Sequence, residues 1–474
     1  MTTLPTPDIA AAKAALAHLD IEENENAIKR ASRDFFWYSP VLKTRMDHLL
    51  ADFVVRPKSE AEVIEVLKTC YAYDVPVTTR GAGTGNYGQA MPMRGGCVMH
   101  LVHMNKVISC APGRVIVEPG CVLKDLDAHC IGACGYESRM MPSTWATATV
   151  GGFVAGGSGG VGSVTWGQLR DLGNIIRLRV VTMEEEPRIL EFRGEELARV
   201  SHGYGTNGII TELELPLAPA YDWVHCFITT KDFGAAMACA EDLANEDGIL
   251  LKLASVFEAP TAKAYFKRME AYVEEDDHMV GLMVAPHAMD ALITYLGRRD
   301  DLSLIYRSDD NDWPRSPGVA FEYGWNHTTL RALKVNPEIT YLQVRYGFPD
   351  HKELIEKIRA AFGDELIQHL EAIRMNGKVA FAGLTMVKFT TEERLDEIIR
   401  IHEEAGALIF NPHRYTLEEG GRQHSDERQL SFKKEADPKG LLNPGKMISF
   451  ETPDFDFKDI YAYPGMTPLP TEDA

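Results

Sequence analysis

The sequence is poor in positive charge and has no long apolar run, and each absence excludes a class of protein. Lysine and arginine number 49 against 69 aspartates and glutamates in 474 residues, a formal net charge of −20. Such a chain repels nucleic acid and anionic lipid, and no block of basic residues offsets this, so we expect no nucleic-acid partner. No apolar run approaches the ~18–20 residues that cross a bilayer, so we expect no membrane span.

Paired metal-ligand motifs are also missing. The eight cysteines form no C-x-x-C pair, and no His-Glu-x-x-His pattern occurs. Most of the cysteines fall in predicted strands and helices, which favours buried free thiols in a reducing compartment over disulfides or zinc. The first twenty residues lack the basic start and apolar core of a signal peptide. We therefore expect a cytoplasmic protein with no metal site.

What the sequence has instead is glycine in loops. Positions 81, 83, 85 and 88 are glycines that follow a β-branched run ending at Arg80. Because glycine has no Cβ, such a loop lets several backbone N–H groups converge on one anion. We predict a loop between two strands that holds a pyrophosphate, with Arg80 as a nearby positive charge; the alternative is a flexible hairpin that binds nothing.

The G-x-G-x-x-G spacing of Gly83, Gly85 and Gly88 does not predict a Rossmann fold. That fold requires a helix directly after the motif. Pro92, Gly95 and Gly96 exclude one here. A second match, beginning at Gly157, has no strand before it and is rejected as well.

Two further stretches are rich in glycine. Eight glycines lie between positions 151 and 167 among apolar residues such as Phe153 and Trp166, which disfavours a flexible linker. Glycine within regular structure costs about 0.5 to 1 kcal/mol relative to alanine, so backbone lying against a flat aromatic ligand is the better explanation. A third loop, GYGTNG at 203–208, runs into a strand. Three such loops indicate one large ligand contacted from several sides.

Residues 50–220 resemble the FAD-binding domain of the vanillyl-alcohol oxidase and p-cresol methylhydroxylase (PCMH) superfamily, nearest its D-2-hydroxy-acid dehydrogenase and glycolate oxidase subunit branch. The resemblance rests on VVRPKSEAEV, TTRGAGTG, GCVMHLVHMNKV, VIVEPG, GTNGIIT and the stretch 141–171, with ADPKGLLNPGK (436–446) similar to the closing motif. It implies an α+β fold: a two-subdomain PCMH-type FAD-binding domain (1–220, core about 48–220), an α+β cap domain with an antiparallel sheet (221–409), and a C-terminal segment (410–474) that returns to the FAD domain.

The resemblance also assigns cofactor residues. The pyrophosphate would be held by Arg80, Gly81, Ala82, Gly83, Thr84, Gly85 and Asn86. The adenosine and isoalloxazine portions would be lined by Pro142, Ser143, Gly151, Gly152, Ser158, Gly159, Gly162, Gly208, Ile209 and Ile210, with Asn443 approaching the ring from the C-terminal side. Members that bind flavin covalently through the first loop carry a histidine there. None occurs between 76 and 99, so noncovalent FAD is predicted.

From about residue 221 the pattern changes to alternating strands and helices, which fits an antiparallel sheet with helices on one face. The stretch 306–328 has too many turn residues for regular structure, and long loops in compact domains are usually functional. We interpret it as a lid. Ser425 is predicted to cap a helix that runs to about Glu435.

Oxidation of a C–H bond by flavin needs a hydrogen-bond acceptor for the adjacent hydroxyl and a positive group for any carboxylate. The candidates are His413, Arg414, Tyr415, Arg345 and Glu418, with Glu419, Tyr346, His327 and Tyr323 after them; His424 belongs to the same C-terminal group. For any one of these, a structural role is the more frequent outcome.

The two motifs that build a metal site in the D-2-hydroxy-acid branch, glycine-aspartate-glycine-asparagine ending in histidine and glutamate-histidine-glycine, are both missing. The substrate class therefore stays open. We expect an FAD-dependent oxidase or dehydrogenase that moves a hydride from an alcohol, hydroxy acid or phenolic side chain to flavin N5, with oxygen or another carrier as acceptor. The alternative is an accessory flavin-binding subunit, and whether a homodimer or a partner subunit forms is left open.

Overall fold

The computed structural model describes residues 6–310, 316–422, 426–452 and 454–455. The α-helices are α1 (Ile9–Ala15), α2 (Glu25–Ala31), α3 (Pro40–Met46), α4 (Glu60–Ala72), α5 (Leu123–Cys134), α6 (Val150–Gly156), α7 (Ser163–Trp166), α8 (Phe233–Asn245), α9 (Thr261–Tyr265), α10 (Met289–Leu296), α11 (Asn326–Val335), α12 (His351–Phe362), α13 (Glu392–Ala405), α14 (Glu427–Ala436) and α15 (Ile448–Glu451).

The strands fall into three sheets. They are β1 (Ile21–Glu22), β2 (Phe53–Val55), β3 (Val77–Arg80), β4 (Cys97–His100), β5 (Val107–Ala111), β6 (Arg114–Val117), β7 (Tyr136–Ser138), β8 (Arg177–Val181), β9 (Ile189–Arg193), β10 (Ile209–Pro219), β11 (Val224–Thr230), β12 (Leu251–Phe257), β13 (His278–Val284), β14 (Ser303–Arg307), β15 (Ile339–Tyr346), β16 (Leu366–Ile367), β17 (His369–Met375), β18 (Lys378–Lys388) and β19 (Leu408–Phe410).

The first sheet has the order β1-β2-β4-β3 and is parallel except at its β1 edge. Helix α4 provides the crossover between β2 and β3, which run parallel to β4 on either side of it. Ser59 begins this helix by accepting a hydrogen bond from the Glu62 N–H at 3.2 Å. The apolar face of α4 is buried against the sheet, as the helical spacing of its valines predicts.

The second sheet is antiparallel, in the order β5-β6-β10-β8-β9, with β7 also paired to β10. Helix α5 covers it, and α6 packs into the same apolar core. The loops that leave the ends of these two sheets are the three glycine-rich stretches. They therefore meet in one region of the molecule.

The third sheet has nine antiparallel strands, in the order β14-β11-β13-β12-β17-β18-β15-β19, with β16 paired to β18. This confirms the predicted antiparallel sheet. Helices α8, α10, α12 and α13 cover one of its faces. Two further helices, α9 and α11, pack on the other face. The α9 cluster there also includes Met141 and Val161 from the N-terminal half.

Buried polar contacts join the two halves. Lys252 on β12 pairs with Glu137 on β7 at 2.7 Å, and both side chains are almost fully buried. The C-terminal segment returns to the first sheet, where Leu442 bridges Val77 in parallel and the Asn443 N–H donates to the Val77 carbonyl at 2.8 Å. The boundaries 1–220, 221–409 and 410–474 stay predictions.

Some sequence predictions fall on residues outside the described ranges. These are His424, Ser425 and the part of the proposed lid at 311–315. Helix α14 begins after Asp426, whose carboxylate accepts a hydrogen bond from the Gln429 N–H at 3.1 Å. The eight cysteines are free thiols, six of them buried. Among the described helices, none has the length and apolarity to cross a bilayer.

Candidate functional site

A cavity of about 1040 Å³ lies between the glycine-rich loops and the nine-stranded sheet. Ligand clefts in proteins are typically ~300–1,000 Å³, so there is room here for a large ligand or for a cofactor together with a substrate. One wall is formed by the three glycine-rich loops. The opposite wall is a face of β15, β17, β18 and β19 together with Trp325 and Asn326.

Residues 81–87 and 89–90 of the first loop belong to the wall that the three glycine-rich loops form. Gly83 and Gly88 have φ near +70°, a conformation that disfavours any side chain. The Phe35 N–H donates to the Gly85 carbonyl at 2.7 Å, so the N-terminal segment fastens the loop from behind. A Cβ at Gly81 would overlap the Thr149 side chain, because the loop is pressed against the start of α6.

Arg80 lies beneath this loop, outside the cavity lining. It is 9% exposed, and its guanidinium donates to the main-chain carbonyls of Arg33 and Ala82. A Cβ at Gly83 would overlap that guanidinium. Arg80 thus supports the loop from below, and its predicted contact with a pyrophosphate stays a prediction.

The glycines of the second stretch have two roles. Gly156, Gly159 and Gly160 line the cavity, and a Cβ at Gly156 would meet no atom closer than 3.6 Å. A Cβ at Gly160 or Gly162 would overlap backbone at Met141 or Arg139, so Gly160 has both roles and Gly162 only the second. The interpretation that glycines of this stretch lie against a ligand stays a prediction for those that line the cavity.

Other predicted cofactor residues also separate into lining and supporting positions. Pro142, Ser143, Gly151, Gly152, Ser158, Gly208 and Ile210 line the cavity. Ile209 is fully buried in the core, and Asn443 lies behind the wall, where its amide donates to the carbonyls of Gln89 and Tyr204 at 2.8 and 2.5 Å. Asn443 thereby ties two lining segments together.

The opposite wall follows the alternation of β15. Tyr341, Gln343 and Arg345 share one face, and Gln343 and Arg345 line the cavity. Tyr346 points to the other face and is buried among the core residues under the helices. Of the two β15 residues named from the sequence, the structure therefore brings only Arg345 to the cavity.

Four polar side-chain atoms in lining residues lack a hydrogen-bond partner within the described part of the chain. They are Thr79 Oγ1, Gln168 Nε2, Trp325 Nε1 and Asn326 Oδ1. A buried polar group left unpaired costs about 1–3 kcal/mol, so such atoms beside a cavity indicate a polar ligand. Trp325 also has φ of 50°, where a non-glycine residue is strained.

The cluster at 413–415 lies away from the cavity lining. His413 is 1% exposed; its Nδ1 lies 2.7 Å from Ser39 Oγ and its Nε2 lies 2.9 Å from the Tyr341 carbonyl. Nε2–H must be the donor to that carbonyl, which leaves Nδ1 to accept from the serine hydroxyl. Burial lowers the pKa of His413 to about 3, so the ring is neutral.

The neighbouring candidates have protein partners as well. Arg414 pairs with Glu392 at 3.0 Å and with Asp396 at 3.4 Å on α13. The Tyr415 ring faces the Lys446 ammonium at 5.0 Å. These contacts join the C-terminal segment to the rest of the fold.

Glu418 and the remaining candidates lie outside the cavity lining too. Glu418 accepts hydrogen bonds from the N–H groups of Ile448 and Ser449, at 3.0 and 2.9 Å, at the start of α15. Tyr323 is fully buried, and neither it nor His327 and Glu419 belongs to the lining. Catalytic roles for these residues stay predictions.

Sequence reasoning missed the N-terminal segment. Asp34, Phe35 and Tyr38 line the cavity. Asp34 is 3% exposed, and its carboxylate accepts from the N–H groups of Phe36 and Ala90 at 2.9 and 3.2 Å. Burial raises the pKa of Asp34 to about 6, against the attraction of Lys446. No motif marks this segment, since its position depends on contacts far away in the chain.

His202 is a second titratable group that the sequence does not single out. It lines the cavity, and its Nδ1 lies 3.0 Å from the Gly157 carbonyl. Burial lowers the pKa of His202 to about 4, helped by the charge of Arg170, so the imidazole is neutral near pH 7.

Comparison with known proteins identifies the cofactor of the N-terminal domain. Residues 51–190 match the FAD binding domain family FAD_binding_4. This part of the chain is a PCMH-type FAD-binding domain. The cofactor is therefore FAD, and the glycine cradle, the cavity volume and the unpaired polar atoms of its wall all fit a molecule of that size and polarity.

The relatives of this chain match it over different shares of its length. An uncharacterized FAD-linked oxidoreductase of Mycobacterium tuberculosis is 32% identical over 36% of this chain, and the match spans 38% of that relative's length. The glycolate oxidase subunit GlcD of Escherichia coli is 23% identical, with 88% of this chain and 87% of GlcD covered. A mitochondrial D-lactate dehydrogenase [cytochrome] of Arabidopsis thaliana is 31% identical over 50% of this chain and 46% of its own.

The fold has a solved counterpart. A structure of alkyldihydroxyacetonephosphate synthase superposes with a TM-score of 0.69 over 94% of this chain and 86% of that one, at 14% identity. This confirms the predicted α+β fold, in which the FAD-binding domain is followed by a domain with an antiparallel sheet. We refer to the nine-stranded sheet below as the cap sheet.

Proposed function

We propose that this protein is an FAD-dependent oxidoreductase that takes a hydride from a CH–OH donor. The observation that carries the proposal is the shared cavity, in which the glycine loops of the FAD-binding domain face a polar row on the cap sheet. Similarity to the D-lactate dehydrogenase and GlcD sequences favours an alcohol or hydroxy acid as donor. Bound FAD supplies the hydride acceptor.

The chain's own residues bind and orient the donor. Arg345 is half-buried in the cavity wall with its guanidinium 5.9 Å from the centre of the Phe410 ring, which holds the side chain along the sheet. A charge-assisted hydrogen bond from such a group to a carboxylate contributes about 1.5–3 kcal/mol. Gln343, two residues earlier on the same face, can donate or accept at the donor hydroxyl.

Asp34 is our choice for the proton acceptor. It is the carboxylate behind the first loop, with the cationic groups of Lys446 and Arg80 near it. Loss of hydride from a CH–OH group leaves a proton to remove, and a carboxylate whose pKa lies close to neutrality serves best near pH 7. Noncovalent attachment of FAD, inferred from the loop without histidine, is part of the same proposal.

Anaerobic titration of the purified holoprotein tests the proposal. Alcohols, hydroxy acids and phenolic compounds would be added in turn while the 450 nm flavin absorbance is followed. Bleaching by at least one donor is expected, and Arg345→Met should lower the second-order reduction rate about 10- to 200-fold for carboxylate donors, with flavin content unchanged. If no donor bleaches a flavin that dithionite does reduce, the accessory-subunit alternative is favoured.

A further inference from the structure

The cap sheet has a shallow apolar area directly beside Arg345. Ala382 pairs with Arg345 across β18 and β15, and Leu384 pairs with Gln343 in the same ladder. Ala380, two residues before Ala382 on β18, pairs with Ile373 on β17. All of these residues line the cavity. We call the surface formed by Ile373, Ala380, Ala382 and Leu384 the alcove.

The alcove exists because two of its four residues, Ala380 and Ala382, are small where strands usually carry large side chains. Alanine is depleted in strands, whereas Val, Ile, Phe and Tyr fill such positions. Leu384, Ile373 and Ala380 are at most 3% exposed, so they form a closed apolar floor, and Ala382 is the half-buried member that faces open space. A leucine at 382 would extend three carbons further into the cavity.

Arg345 does not cover this space. Its guanidinium lies over the Phe410 ring, and Phe410 belongs to β19, the strand on the side of β15 opposite to β18. The cation and the alcove therefore lie on one sheet face with β15 between them, about two strand spacings or ~10 Å apart. A molecule that uses both would carry an anionic head and an apolar group separated by a few bonds.

From this juxtaposition we infer that the donor is a hydroxy acid with a bulky apolar substituent, of leucine or phenylalanine side-chain size, whose carboxylate meets Arg345 and whose substituent fills the alcove. The inference rests on the proposed function and specifies its substrate. Small hydroxy acids such as glycolate would leave the alcove empty and forgo its binding energy.

Single-turnover reduction of the holoenzyme by a size series tests this. The series comprises glycolate, which is achiral, and both enantiomers of lactate, 2-hydroxybutyrate, 2-hydroxyisocaproate and 3-phenyllactate. The second-order rate should rise about 10-fold or more per added methylene, since each methylene in a matching apolar pocket contributes at least that much. Isoamyl alcohol, which has the tail without the carboxylate, should react more slowly and lose little in Arg345→Met.

Variants at position 382 provide the second half of the test. Ala382→Leu should lower the rate for 2-hydroxyisocaproate at least about 100-fold while glycolate changes about 3-fold or less, because only the larger acid meets the new side chain. Ala382→Ser, which keeps the volume, is the matched control and should preserve the size preference. Flavin content, the visible spectrum and FAD affinity should be the same in all three proteins.

Two results would overturn the inference. One is a rate series that does not depend on substituent size while donors still bleach the flavin, which leaves the proposed function intact. The other is loss or a spectral shift of FAD in Ala382→Leu, which would show that the alcove holds the isoalloxazine ring. Failure of every donor would instead refute the proposed function, so the two failures are distinguishable.

Discussion

The two walls of the cavity are built by different means. The wall formed by the FAD-binding domain, here called the main-chain wall, is rich in glycines that bring backbone close to the cavity, whereas the cap wall consists mainly of side chains on β15 and β18. A main-chain wall can hold a cofactor that never changes, and nearly every substitution in it has a backbone cost. A side-chain wall can be altered one residue at a time, so substrate preference can change while the cofactor site stays the same.

The largest expected effect comes from a glycine that supports the main-chain wall without lining it. Gly162 has φ of +107°, and a Cβ there would overlap the Arg139 carbonyl. Gly162→Ala should lower the free energy of unfolding by about 2–5 kcal/mol, from backbone strain and overpacking combined. Urea unfolding of the apoprotein measures it.

Gly132→Ala is the matched control, because a Cβ at that position of α5 meets nothing within 4 Å. It should stabilise the protein by about 0.5–1 kcal/mol, the usual gain in a helix interior. Equal effects of the two substitutions would contradict the distinction between glycines that permit close backbone contact and glycines that do not.

A smaller effect is expected at His413, which supports both walls without lining either. Its ring joins Ser39 at the start of α3 to the carbonyl of Tyr341 on β15. His413→Asn should leave one of these groups unpaired and lower the free energy of unfolding by about 1–3 kcal/mol, with the flavin spectrum retained.

The exposed His48 provides the control, and His48→Asn should stay within about 0.5 kcal/mol of the parent protein. A His413→Asn protein of normal stability that is no longer reduced by donors would restore His413 to the catalytic set proposed from the sequence.

The smallest expected effect is a pH dependence of the flavin-reduction rate, which would come from Asp34. Burial raises the pKa of Asp34 to about 6, so its carboxylate is ionised above that pH and protonated below it. If Asp34 accepts the proton, flavin reduction by a donor should be about ten-fold slower at pH 5 than at pH 7. Stopped-flow measurements between pH 5 and 8 give the profile.

The Asp34→Asn variant should lose most of the rate of flavin reduction and also the change of that rate near pH 6, while it retains flavin. A parent profile without such a change, or a variant that keeps it, would assign the proton to another group.

Sequence patterns revealed the main-chain wall because main-chain sites require glycine. The loop from Gly81 to Asn86 and the strands around it are where the spacing places them. The close contacts of Gly160 and Gly162 with the backbone at Met141 and Arg139 could not be predicted, because they depend on how the chain folds back on a segment well before them in the sequence.

The side-chain wall was harder to predict for a related reason. The alternation of β15 puts Gln343 with Arg345, yet which face meets the cavity depends on where the helices α8, α10, α12 and α13 pack. Asp34 and Tyr38 enter the cavity through the Phe35 contact with Gly85, which no local pattern encodes. Conversely, residues 413–415 resemble a catalytic cluster in the sequence, but in the structure their side chains contact other parts of the protein.

Asn443 has a consequence for the order in which the molecule can be assembled. It follows Thr78 by 365 positions, yet it fastens the strand before the first glycine loop and two segments of the cofactor wall. The ribosome synthesises every strand of the cap sheet before it adds Asn443. We therefore expect firm uptake of FAD to be a late event in biogenesis, and nascent chains halted after the N-terminal half to be colourless.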